Sequence, residues 1–172
     1  ASVELLRYPE LRGQAVVVGG GRSMQPETGE DGRRSFKQLG HYVGRGVVTT
    51  CTYEARAFGV HSAMGMMKAA RLAPHALVLP ADFEEYKRYS RLFKASVAAI
   101  APTIEDRGID EIYIDLTDVP GAQETVDGDP LGGARRLAAR IKAAVREATG
   151  LTCSISVTPN KLLAKLCSEF DK

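Results

Sequence analysis

"GIDEIYIDLT", residues 108–117, sets two adjacent carboxylates, Asp110 and Glu111, against a run of Ile, Tyr and Leu. The β-branched and aromatic content reads as a strand. Side chains alternate along a regular strand, so neighbours 110 and 111 would point to opposite faces. Both serve one centre only if the strand begins there or bulges, and Gly108 permits such a bend. Two carboxylates this close repel, and a divalent cation relieves the repulsion. Mg²⁺ takes oxygen ligands, typically a carboxylate or two with substrate phosphates and water. Taken alone, the pair also reads as a solvated strand end. Asp115, out of step with Asp110, reads as a hairpin residue rather than a further ligand.

Working outward, the clearest neighbours are helices. In "DFEEYKRYSRLFKASVAAIAP", Phe83, Tyr86, Ser90, Phe93, Val97 and Ile100 recur three or four apart and make one stripe. Asp82 suits the cap, and Glu84 and Glu85 suit the positive end. "ARRLAARIKAAVREATG" turns Leu137, Ile141 and Val145 inward and stops at Gly150. "LTCSISV" alternates as a strand, and Thr158 with Pro159 opens a last helix, "TPNKLLAKLCSEF". From residue 76 on, the order is strand, helix, strand, helix, strand, helix. That order predicts an α+β layer with an open sheet covered by helices on one face.

The first part of the chain is less regular. "ELLRYPELRG" reads as a short helix stopped by Pro9, "QAVVVGG" and "VVTTCTY" as strands, and "EARAFGV" and "AMGMMKAARLAP" as short helices. Residues 20–45 form a long polar, basic loop with one helical turn near Phe36 to Tyr42.

Composition sets limits. The chain has 172 residues, 44% hydrophobic and 26% charged, an ordinary globular balance. No apolar run reaches the ~18 residues of a membrane span. Cys51, Cys153 and Cys167 have no CxxC spacing and read as reduced thiols of a cytoplasmic protein. His41, His61 and His75 have no zinc-ligand spacing. A net charge of +2 is compatible with nucleic acid without arguing for it. The start without Met and the stop inside a helical pattern at "SEFDK" read as a fragment.

Cations and hydroxyls stand where a phosphate would need them. Lys161 in the first turn of a helix opposes the helix dipole, a conflict that a phosphate would resolve; it could equally reach into water. "TTCTYEAR" spaces Thr50, Tyr53 and Arg56 three apart around a strand-to-helix junction. Hydroxyl, phenol and guanidinium on one face suit a triphosphate, although Arg56 paired with Glu54 explains the same residues.

Four stretches in order, "ASVE", "YEARAFGVHSAM", "GIDEIYIDLT" and "SISVTPNKLLAKLCSEFDK", together resemble the Y-family DNA polymerases. The resemblance covers nearly the whole chain apart from the loop after Gly19. It implies a palm at 1–12 and 77–168, fingers at 13–76 and the start of a thumb at 169–172, with thumb and little finger absent. Asp110 and Glu111 would be the palm's catalytic carboxylates, holding two Mg²⁺ for nucleotidyl transfer from a dNTP to a primer 3′-hydroxyl. Thr50, Tyr53, Arg56 and Lys161 would contact the triphosphate, and Ala63 would lie over the nascent base pair. Primer–template DNA is the implied partner, with a sliding clamp reached through the part not present here. A monomer without membrane contact is expected.

The chain departs from the pattern at Gly108, Ile112 and Ser156. The family's first metal-binding Asp and its aromatic ribonucleotide gate would lie upstream of Ala1, so this piece by itself is expected to be inactive. The 20–45 loop exceeds the family norm by roughly 20 residues. Its Arg33, Arg34 and Lys37 would either touch a phosphate backbone or sit in water. Another palm-like nucleotidyl transferase or cyclase, or a non-catalytic nucleotide-binding palm module, would also use a strand-borne acid pair.

Overall fold

The computed structural model describes residues 1–170. Positions 171 and 172, the end of the expected thumb start, lie outside the described residues. The chain is of α+β class and divides into two compact units, Ala1–Phe83 and Glu84–Lys172.

The first unit is built on a mixed sheet. Strand β1 (Val16–Gly19) pairs antiparallel with β5 (Val48–Cys51) and parallel with β6 (Leu77–Leu79). Strand β4 (Lys37–Gln38) closes the other edge against β6. Val17 and Val78 face a core with Leu39, Val48, Met66 and Ala69, while Val16 and Leu79 face a second cluster with Tyr8 and Leu11. Both faces of β1 are therefore buried, which is why it reads as continuous valine rather than alternation. Helices α1 (Ser2–Arg7), α2 (Tyr53–Arg56) and α3 (Met66–Leu72) complete the unit. Strand β6, expected to start the later sheet, belongs here instead: β1 supplies its parallel ladder.

Residues 20–45 are more ordered than a plain loop. They hold a hairpin of β2 (Glu27–Thr28) and β3 (Arg34–Ser35), strand β4 and a 3₁₀ turn at Leu39–His41, within the expected helical turn. Arg34 anchors the hairpin. Its guanidinium meets Glu10 at 2.8 Å and lies 4.8 Å from the Tyr8 ring centre. Phe36 meets the same ring edge-on at 5.6 Å. Lys37 donates to the Ser23 carbonyl at 2.8 Å.

In the second unit, helices α4 (Phe83–Ala98) and α5 (Gly132–Thr149) share a core with an antiparallel hairpin, β7 (Ile104–Asp106) and β8 (Ile112–Ile114). Val97, Leu137, Ile141 and Val145 are buried there, against Ile104, Ile112 and Ile114. Gly150 ends α5 in the left-handed conformation, as read. The helix begins under its own preceding loop: the Gly133 N–H donates to the Glu124 carbonyl at 2.9 Å.

Three readings need correction. Residues 151–157 form no strand among the described residues, although Cys153 and Ile155 pack on the core. Alternation marks an apolar face; it does not supply a backbone ladder partner. The cap of α6 (Lys161–Glu169) is Asn160, whose side chain accepts from the Leu163 N–H at 3.0 Å, rather than Thr158. Strand β8 is also shorter than expected, and Asp110 and Glu111 precede it.

Candidate functional site

The predicted residues fall into two groups. Thr50, Tyr53, Arg56 and Ala63 belong to the first unit; Asp110, Glu111 and Lys161 belong to the second.

In the first group, Thr50 pairs with Val18 on β5, and Tyr53 and Arg56 are the first and last residues of α2. What joins strand to helix is Thr52, which sequence reasoning passed over. Its buried hydroxyl accepts from the Val16 N–H at 2.9 Å and from the Ala55 N–H at 3.4 Å, and donates to the Gln14 carbonyl at 2.9 Å. A Thr directly before a four-residue helix was the available signal. Tyr53 is 71% exposed, and the Arg56 guanidinium lies 5.9 Å from its ring centre. Two donors thus share one open surface. Ala63 sits in a turn with φ 65°, its N–H donating to the Val48 carbonyl at 2.8 Å.

The second group is organised by the β7–β8 hairpin. The Arg107 N–H donates to the Glu111 carbonyl at 3.0 Å, which leaves Gly108, Ile109 and Asp110 as the tip. Gly108 has φ 146°, a conformation that favours glycine. The two carboxylates therefore sit at a turn rather than inside a strand, so strict alternation no longer separates them. Ile104, Ile112 and Ile114 face the core. Period two then sets Glu105 and Tyr113, which are cross-strand partners, on the other face with Glu111.

Helix α6 meets that face with two lysines one turn apart. Lys161 pairs with Glu105 and lies 5.7 Å from the Tyr113 ring centre. Lys165 pairs with Glu111 and reaches Glu169 at 2.9 Å. The Lys161 ammonium holds the Glu105 carboxyl below its ordinary pKa. Glu111, and then Glu169, raise that of Lys165. Lys165, Glu105 and Tyr113 were not singled out from sequence, although Lys161 and Lys165 stand at i,i+4 spacing. Asp110 is exposed and has no hydrogen-bond or ion-pair partner among the described residues. Asp115 accepts from the Thr117 N–H and hydroxyl at 2.9 and 2.6 Å, which holds its carboxyl below the usual range.

Among the described residues, no group of three or more His, Cys, Asp or Glu side chains forms a metal cage. Mg²⁺ does not need one: a carboxylate or two, with phosphate oxygens and water, complete its octahedron. The adjacent pair at an open turn, with one member unengaged, fits such an ion. No helix among the described residues is long and apolar enough to cross a membrane.

Comparison with known proteins places these features in a family. The model described as the impB/mucB/samB family matches residues 1–169. DNA polymerase IV of Methanoculleus marisnigri is 42% identical over 172 residues, which cover 100% of this chain and 41% of that protein. DNA polymerase IV of Streptomyces coelicolor is 41% identical over 172 residues, covering 100% of this chain and 30% of its own. Among solved structures, DinB from Sulfolobus solfataricus has a TM-score of 0.74 at 28% identity, covering all of this chain and 42% of that one. An insertion ternary complex of Dbh DNA polymerase has a TM-score of 0.76 at 29% identity, with 99% and 43% covered. The chain thus spans less than half the length of these relatives. A match that runs through both the Tyr53–Arg56 junction and the carboxylate hairpin makes this chain a member of the impB/mucB/samB family, the Y-family of DNA polymerases.

Proposed function

We propose that this chain supplies the palm and fingers of a template-directed DNA polymerase of the translesion type. In this reading, residues 1–12 and 77–168 are palm, 13–76 fingers, and the thumb starts at 169. The observation that carries the proposal is the hairpin tip: two adjacent carboxylates on a glycine-permitted turn, opposite a helix with two cations. Family membership over residues 1–169 supports it.

Asp110 and Glu111 would hold the divalent cation, Mg²⁺. When bound, that ion activates the primer 3′-hydroxyl and neutralises charge on the phosphates. The chain's own side chains do the rest. Arg56 offers a planar fork of donors to phosphate oxygens, and Tyr53, 71% exposed beside it, donates its phenol. Thr50 adds a hydroxyl from the adjoining strand. Lys161 brings positive charge from the first turn of α6, exchanging the Glu105 carboxylate for phosphate. Ala63 would lie over the new base pair, where its small side chain leaves room. In this reading the partners are primer–template DNA and a dNTP, with a sliding clamp as a further partner, and the protein acts as a monomer in the cytoplasm.

The test is primer extension by the gene product that carries this chain, with Mg²⁺ and all four dNTPs. Asp110→Asn and Glu111→Gln should each reduce extension at least 100-fold while leaving the fold intact by circular dichroism. Arg56→Ala should act mainly by raising the KM for dNTP. Extension at the parental rate by Asp110→Asn would refute the assignment. Template-independent product formation would favour a cyclase-like enzyme instead.

A further inference from the structure

Helix α6 has no buried residue. Among the described residues, α6 meets the hairpin face through two ion pairs, Lys161–Glu105 and Lys165–Glu111, and through the Lys161 ammonium over the Tyr113 ring at 5.7 Å; elsewhere the Ser156 hydroxyl donates to the helix's Ala164 carbonyl at 2.6 Å. The two lysines lie four residues apart, so they present one face to the hairpin. Lys165 has a second carboxylate within reach, Glu169 at 2.9 Å on its own helix. Its ammonium can therefore leave Glu111 without losing all anionic company.

We propose that Lys165 competes with the divalent cation for Glu111, so that α6 acts as a charge-held guard over the carboxylate pair. The proposal rests on the reading that Asp110 and Glu111 hold that cation. A divalent ion and an ammonium on the same carboxylate repel each other, and the site is half-open, so water and salt weaken the effect. Removing the ammonium should therefore tighten cation binding by about three- to tenfold. A lysine that merely held Glu111 in place would give the opposite result, because a loosened ligand binds more weakly.

The experiment titrates the full chain with Mn²⁺, reading free ion by electron paramagnetic resonance. Lys165→Met and Lys165→Gln should both bind Mn²⁺ about three- to tenfold more tightly than the parent. Lys165→Arg, which keeps the charge, should bind as the parent does. Equal or weaker binding by both neutral variants overturns the guard, including the case in which parent and variants alike show no binding. Asp110→Asn and Glu111→Gln separate the two claims. If they abolish binding and the neutral Lys165 variants are no tighter, only the guard fails. If they leave binding unchanged, the cation site itself fails, and the guard with it.

Discussion

Replacing Thr52 by Val keeps the side-chain shape and deletes one hydroxyl that ties β1 to α2. The parent hydroxyl serves the Val16 N–H at 2.9 Å, the Gln14 carbonyl at 2.9 Å and the Ala55 N–H at 3.4 Å. Loss of the helix cap costs about 1 kcal/mol. Val16 is 1% exposed, so its N–H is left without water as a substitute, for about 1–3 kcal/mol more. The sum is about 2–4 kcal/mol, felt first where β1 meets β5. Native-state hydrogen exchange at the Val17 and Val18 amides reads this directly, as a loss of protection of about 30- to 1,000-fold. Thr52→Ser, which keeps the hydroxyl, should lose about 1 kcal/mol or less. If Thr52→Val protects these amides as well as the parent, or if Ser does as badly as Val, the hydroxyl is not the joint.

Gly133→Ala should destabilise the second unit by about 3 kcal/mol or more, measured by urea titration, because a Cβ there would overlap the Gly121 carbonyl oxygen and crowd Glu124 backbone; a stable variant would mean the α5 entry can shift. Glu105 has a folded pKa held below its ordinary 4.5 by Lys161, so its pairing contributes at pH values above that and is lost as pH falls through the folded value. In Lys161→Met, carbon-detected NMR should find the Glu105 carboxyl titrating higher than in the parent; an unmoved titration would show that the ion pair is not formed in solution.

Legibility from sequence followed the amount of apolar signal. Helices α4 and α5 could be read because a stripe repeats over many turns, as with Leu137, Ile141 and Val145. Strand β7 could not, because "IED" carries a single apolar residue and its partner lies several positions later across the tip. The "VVV" of β1 announced burial, but its parallel partner at 77–79 is set by tertiary pairing, which no local pattern reports. Among the candidate residues of each unit, types with obvious chemistry stood out: Tyr53 and Arg56 in the first, Asp110 and Glu111 in the second. Their partners, Thr52 under the Tyr53–Arg56 helix and Lys165 beside Glu111, did not, because a cap hydroxyl and a surface lysine look ordinary until their partners are known. The distance in sequence between Lys165 and Glu111, 54 residues, is the physical reason.

Ala63 carries its backbone at φ 65°, where any Cβ crowds the following carbonyl and costs about 1–2 kcal/mol. Glycine, asparagine and aspartate tolerate that geometry; β-branched and bulky residues tolerate it worst. Enlarging this position is therefore penalised by the main chain alone. Compactness at residue 63 is thus enforced by the turn itself, and any variant that enlarges the side chain must first satisfy that backbone.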